Sequence, residues 1–154
     1  SNGKFAIEFW FKVEGPRTAE FSPILSLGAF GYSRADGMAF EFGLLSDGIY
    51  GMRENYDEIT GAINMEAVDG VWTFCRLSVA DGSGQVRVGP AVMGKRVGID
   101  PNRPFANTVA YGGNAISHIE ETDGSLRVYL GPMRVVYGDN MVSVPNPTAP
   151  WPAP

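Results

Sequence analysis

Between Phe5 and Val13 every odd position is apolar (Phe5, Ile7, Phe9, Phe11, Val13), while Ala6, Glu8, Trp10 and Lys12 fill the even ones. A period of two sends alternate side chains to opposite faces of a pleated chain, so this stretch predicts a strand with one face in a core. Met38 to Leu45 repeats the pattern, setting Met38, Phe40, Phe42 and Leu44 against Ala39, Glu41 and Gly43. Val71 to Val79 repeats it again, with Cys75, Leu77 and Val79 on the inner side. Shorter runs predict strands over Pro23 to Leu27, Ile49 to Arg53, Thr60 to Asn64, Gln85 to Val88, Thr108 to Tyr111, Leu126 to Leu130 and Met133 to Tyr137. A brief strand is expected near Arg96 to Ile99, and Ala115 to Ile119 fits either a strand or one helical turn.

Asp47-Gly48 and Asp69-Gly70 are tight-turn dipeptides, because glycine accepts the positive φ that such turns need. The first predicts a hairpin joining Met38–Leu45 to Ile49–Arg53, and Asp81-Gly82-Ser83-Gly84 predicts a second one running into Gln85. Asp36-Gly37 and Asp123-Gly124 punctuate the chain in the same way. With 20 glycines and 11 prolines there is little room for a helix of three turns, so the chain reads as all-β. That many two-faced strands require two stacked sheets, since a single open sheet would leave an apolar face in water. The expected architecture is an antiparallel jelly-roll sandwich over residues 1–143, followed by an extended proline-rich tail over 144–154.

At 154 residues the chain suits one domain with a full core. Its formal net charge is −5, and Lys and Arg are scattered rather than clustered, which argues against nucleic acid as a partner. No apolar run approaches the roughly 18 residues of a membrane-spanning helix, so no membrane insertion is expected. The single cysteine, Cys75, has no partner for an internal disulfide and falls on the apolar side of its strand, where it reads as a small buried hydrophobe. The chain opens at Ser1 without an initiator Met, which suits a processed product or a segment of a longer polypeptide.

Three segments carry a family resemblance. Phe5-Ala6-Ile7-Glu8-Phe9-Trp10-Phe11-Lys12 is similar to the opening strand of the concanavalin A-like lectin/glucanase superfamily, in its laminin G-like jelly-roll branch. Asp69-Gly70-Val71-Trp72-Thr73-Phe74 resembles the central strand of that family, and Val128-Tyr129-Leu130-Gly131-Pro132 its near-terminal strand. The segment from Met133 to Tyr137, with the ending Pro145 to Pro152, resembles jelly-roll modules of tailed-phage virion proteins. The resemblance implies a non-catalytic structural and adhesive part of a virion surface, in capsid decoration or a tail. Its partners would be other virion or surface proteins, copies of itself, or glycans. The rival expectation is a carbohydrate-binding module of a secreted bacterial enzyme or adhesin, at the cell surface.

The chemistry on offer is sparse. Glucanases of the family set carboxylates in a Glu-x-Asp-x-x-Glu run, and no such run exists here; Glu8 and Glu41 stand alone on their strands. The only histidine, His118, has no Ser or Cys elbow beside it, and no His or Cys cluster has zinc spacing. A non-enzyme is therefore expected. Calcium is the one cofactor with candidate ligands, the loop oxygens of Asp47, Asn55, Asp57, Glu58 and Asp81, although these are also ordinary turn residues. Glycan binding needs aromatic platforms flanked by polar groups, a mixture supplied by Tyr50, Arg53, Asn55, Tyr56 and Asp57 with Tyr32 and Arg34 as neighbours. Trp10 and Trp72 read as packing residues, and Trp151 as an anchor for the tail.

Overall fold

A computed structural model of the chain describes residues 4–28, 38–54, 59–80, 83–92, 97–98, 108–111 and 126–138. The strands are β1 (Phe5–Glu14), β2 (Phe21–Gly28), β3 (Met38–Leu45), β4 (Ile49–Glu54), β5 (Ile59–Glu66) and β6 (Thr73–Ala80), followed by β7 (Ser83–Val88), β8 (Ala91–Val92), β9 (Val97–Gly98), β10 (Thr108–Tyr111) and β11 (Arg127–Tyr137). No α-helix occurs among the described residues. One six-stranded sheet runs β11-β1-β6-β7-β8 with β9 also on β7, and a five-stranded sheet runs β10-β2-β3-β4-β5. Every described pairing is antiparallel. This is the expected two-sheet jelly roll.

The Asp-Gly turns do what their chemistry predicts. Gly48 has φ +85° and donates its N–H to the Leu45 carbonyl at 2.9 Å, closing the β3–β4 hairpin. Gly70 has φ +76° and donates to the Val13 carbonyl at 3.0 Å, which ties the approach to β6 onto the end of β1.

Two elements differ from expectation. Strand β6 starts at Thr73, leaving Val71 and Trp72 outside the ladder and exposed. The two strands expected on either side of Gly131-Pro132 are one strand, β11, whose register against β1 shifts between Phe9 and Phe11. Proline lacks the N–H that a ladder needs, but at a bulge on a sheet-edge strand that loss is tolerated. The expected element at Ala115–Ile119, the Asp36-Gly37 and Asp123-Gly124 turns and the 144–154 tail lie outside the described residues.

Between the sheets, Ile7, Phe9, Phe11 and Val13 of β1 pack with Cys75, Leu77, Val86 and Val88 against Leu25, Phe42, Leu44, Tyr50, Met52 and Ile63. Phe42 and Tyr50 stack with centroids 5.6 Å apart, and Phe11 meets the Tyr50 ring edge-on at 5.7 Å. Each such aromatic pair adds about 0.5–1.5 kcal/mol beyond area burial.

The outer faces are not simply wet. On the six-stranded sheet, Ala6, Glu8 and Trp10 of β1 are buried together with Phe74 and Arg76 of β6. Trp10 and Phe74 sit with ring centroids 5.6 Å apart. Glu8 lies between Arg76, whose Nε donates to Oε1 at 2.6 Å, and Arg134, whose Nε donates to Oε2. On the five-stranded sheet, Ser26 Oγ donates to Glu41 Oε1 at 2.9 Å, and both residues are fully buried.

Candidate functional site

Two exposed rings, Trp72 and Tyr129, lie where the end of β1 meets the start of β11. Lys12 and Glu14 come from β1, and the antiparallel register sets Tyr129 opposite Lys12 and Arg127 opposite Glu14. Side chains directly opposite one another project from the same face. Trp72 arrives from the third side, on the connection that precedes β6.

That connection is held firmly. The Asp69 carboxylate accepts the Gly15 N–H at 3.0 Å and the Arg17 guanidinium at 2.5 Å, while Arg17 also donates to the Ala67 carbonyl at 3.3 Å. The Gly15 N–H, followed by Arg17, holds the Asp69 carboxyl below its ordinary range. Trp72 then lies across β11 at Gly131. A Cβ on Gly131 would meet Trp10 Cβ at 2.9 Å and Trp72 Cζ3 at 3.0 Å, so only a glycine admits the two indoles this close to the strand.

The outcome is a cation framed by two rings. Lys12 Nζ stands 4.3 Å from the Tyr129 ring centroid and 5.7 Å from that of Trp72. Glu14 completes the group: Tyr129 Oη donates to its Oε2 at 3.0 Å, Lys12 Nζ lies 3.4 Å from Oε1, and Arg127 Nη2 lies 3.6 Å from Oε2. The Tyr129 hydroxyl leads in holding the Glu14 carboxyl below its usual range, with Lys12 and Arg127 assisting. Trp72 remains 40% and Tyr129 39% exposed, and the neighbouring Val71 and Val68 are exposed too. A flat apolar ring bordered by charged hydrogen-bonding groups matches the amphipathic faces of a sugar: C–H bonds over the ring, hydroxyls toward the ions.

Of the expected glycan cluster, only Tyr50 and Arg53 fall among the described residues. Tyr50 is 1% exposed and sits in the core against Phe42, with its hydroxyl pushed up to about 12 by burial, so it faces no ligand. The β3–β4 register explains why: Tyr50 lies opposite Leu44 and Met52 opposite Phe42, all on the inner face. Arg53 lies on β4 opposite Glu41. Tyr32, Arg34, Asn55, Tyr56 and Asp57 are outside the described residues, as are the calcium candidates Glu58 and Asp81. Asp47 accepts the Ile49 N–H at 3.0 Å, the ordinary bond of a turn aspartate. Among the described residues no group of three His, Cys, Asp or Glu could hold a metal ion. His118 lies outside them, and Cys75 is buried with its thiol pushed well up by desolvation.

The residues the sequence reading passed over are Lys12, Glu14, Trp72, Arg127 and Tyr129. Part of the signal was present, since Lys12 shares the even-numbered face of β1 with Glu8 and Trp10, and Arg127 and Tyr129 share a face of β11. What alternation does not reveal is that β11 pairs with β1, which alone brings them together.

No protein-family model matches this chain, and no curated protein does. Solved structures do. A Trypanosoma rangeli sialidase superposes with a TM-score of 0.64 at 16% identity, covering 87% of this chain and 20% of the sialidase. The alginate lyase from Corynebacterium sp. gives a TM-score of 0.59 at 10% identity, covering 88% of this chain and 59% of the lyase. An alginate lyase of polysaccharide lyase family 7 gives 0.61 at 8% identity, covering 87% and 59%. This chain thus spans about a fifth of the sialidase it matches and 59% of each lyase. The expectation of a non-catalytic structural or adhesive virion part is corrected by these matches, because the neighbours are carbohydrate enzymes. The chain is a two-sheet antiparallel jelly-roll β-sandwich, a fold it has in common with a sialidase and with alginate lyases.

Proposed function

We propose that this chain holds a saccharide on the rim formed by Trp72, Lys12 and Tyr129 and serves carbohydrate turnover rather than assembly. The observation that carries this reading is the pairing of two exposed rings around one ammonium group. A hydrated surface gains nothing from leaving a tryptophan and a tyrosine exposed side by side, whereas a pyranose ring laid on them buries apolar area on both partners. Lys12 and Glu14 supply a donor and an acceptor at the edge of the rings, which is where sugar hydroxyls lie. The solved neighbours, a sialidase in complex with sialic acid and an alginate lyase, support a saccharide as the ligand class.

The test is calorimetric titration of the full chain with alginate and sialylated oligosaccharides, alongside an assay for released product. Saturable binding that Trp72→Ala and Tyr129→Ala each weaken about tenfold, or 1.4 kcal/mol, supports the reading. Binding that both variants leave intact moves the site elsewhere, and absence of binding across a broad glycan panel refutes the reading.

A further inference from the structure

Strand β11 closes one end of the six-stranded sheet, with β1 as its one neighbour among the described strands. The phase of its hydrogen bonds decides which backbone groups face the open edge. Gly138 donates its N–H to the Lys4 carbonyl at 3.0 Å, so these two residues form a bonded pair. Bonded and non-bonded pairs alternate along an antiparallel ladder. Tyr137, Val135 and Met133, opposite Phe5, Ile7 and Phe9, therefore occupy non-bonded pairs and aim their N–H and C=O groups away from β1.

The same three residues carry apolar side chains. Register puts them on the face of Ile7 and Phe9, the face that builds the core. Val128, further back in the row, is packed against that core, but Leu130, Met133, Val135 and Tyr137 are 47%, 43%, 41% and 66% exposed. Soluble proteins normally interrupt such an edge with charges, proline or a bulge, because it is a template for another strand. Here Pro132 and the register shift lie to one side of residues 133–137, and those five stay in continuous register with β1.

We infer that a second copy of this chain pairs with this edge, the two β11 strands running antiparallel about a two-fold axis at Val135 and joining two six-stranded sheets into one. The segment is self-complementary in that register. Met133 faces the partner's Tyr137 and Val135 faces the partner's Val135, so the outward backbone groups of all three residues meet outward groups of the other copy. Arg134, bonded to Glu8 of its own copy, stands opposite the partner's Val136. An axis at Arg134 would instead set arginine directly on arginine, a destabilising like-charge pair. An axis at Val136 would carry Met133 beyond the partner's Tyr137 and lose two of the three apolar pairings. Residues 133–137 contain no carboxylate, so two chains of net charge −5 meet where neither presents negative charge.

The experiment is sedimentation velocity of the full chain over a concentration series, followed by thiol crosslinking. A dimer that grows in over the micromolar range is expected, and Val135→Lys, with melting close to wild type, is expected to raise its dissociation constant at least about tenfold. Opposed residues of a bonded pair stand about 5.5 Å apart at Cα, within disulfide reach. Val135→Cys is therefore expected to give a covalent dimer on mild oxidation, whereas Tyr137→Cys, four positions out of register with its copy, is expected to give none. Wild-type chain is the control, since Cys75 is buried. Trp72 and Tyr129 lie outside the paired segment, so glycan affinity and self-association are read independently. A chain that stays monomeric through about 100 μM overturns the inference. So does a dimer that Val135→Lys leaves intact, or crosslinking that is equal at the two positions.

Discussion

The Lys12 ammonium lies 4.3 Å from the centre of the Tyr129 ring, directly across the β1–β11 ladder. An exposed cation–π contact contributes about 0.5–1 kcal/mol. Lys12→Met keeps the aliphatic stem and removes the charge. We expect it to lower unfolding stability by about 0.5–1 kcal/mol in urea titration and to weaken saccharide binding.

Acid is expected to loosen the same corner of the molecule. Glu14 is held below its ordinary 4.5, first by the Tyr129 hydroxyl, and Asp69 below its ordinary 3.8, first by the Gly15 N–H. A carboxyl whose folded value is depressed contributes stability above its unfolded value and loses it as pH falls through the folded one. Stability should therefore be level above about pH 5 and decline through the range below, as the unfolded chain takes up protons first. Urea midpoints measured across that range check this, and Asp69→Asn should flatten the decline. An unchanged slope in Asp69→Asn would remove Asp69 from the explanation.

Gly131→Ala tests how closely Trp72 is seated. The added methyl would meet Trp10 Cβ at 2.9 Å and the Trp10 carbonyl oxygen at 3.0 Å, and neither is the far end of a flexible chain. We expect a loss of about 1–3 kcal/mol from overpacking, together with weaker saccharide binding because the Trp72 ring is lifted. Thermal melting and calorimetry read the two effects separately.

Glu8 supplies the structural counterpart. It is 2% exposed and bonded on both sides, to Arg76 and Arg134, so Glu8→Gln leaves two guanidinium groups short of counter-charge. Removing one member of a buried ion pair costs about 3–5 kcal/mol, and the lower end is expected here because Arg134 reaches solvent. Chemical denaturation measures it.

Much of the sandwich is legible in the sequence because its signals are local. The alternation in Phe5–Val13 and Met38–Leu45, and the glycines at 48 and 70, specify strand faces and turns without knowledge of partners. Tyr50 could have been placed by the same logic, since a hairpin turning at Asp47-Gly48 sets it opposite Leu44. The rim was not legible. Trp10 and Trp72 look alike as aromatic residues near strands, and what separates them is that Trp10 lies within the β1–β6 ladder, with Gly131 of β11 against it, whereas Trp72 precedes β6 and stays exposed. Long-range pairing likewise decides that Glu8, which stands alone in sequence, is shared by two arginines.

The most direct measurement is the affinity of Trp72→Ala for the oligosaccharide that the wild-type chain binds best in a panel including alginate and sialylated chains. Trp72 is 40% exposed and outside the β-ladder, so its removal should leave the fold's melting behaviour close to that of the wild type while weakening binding at least about tenfold. A well-folded Trp72→Ala chain with undiminished affinity would contradict the account.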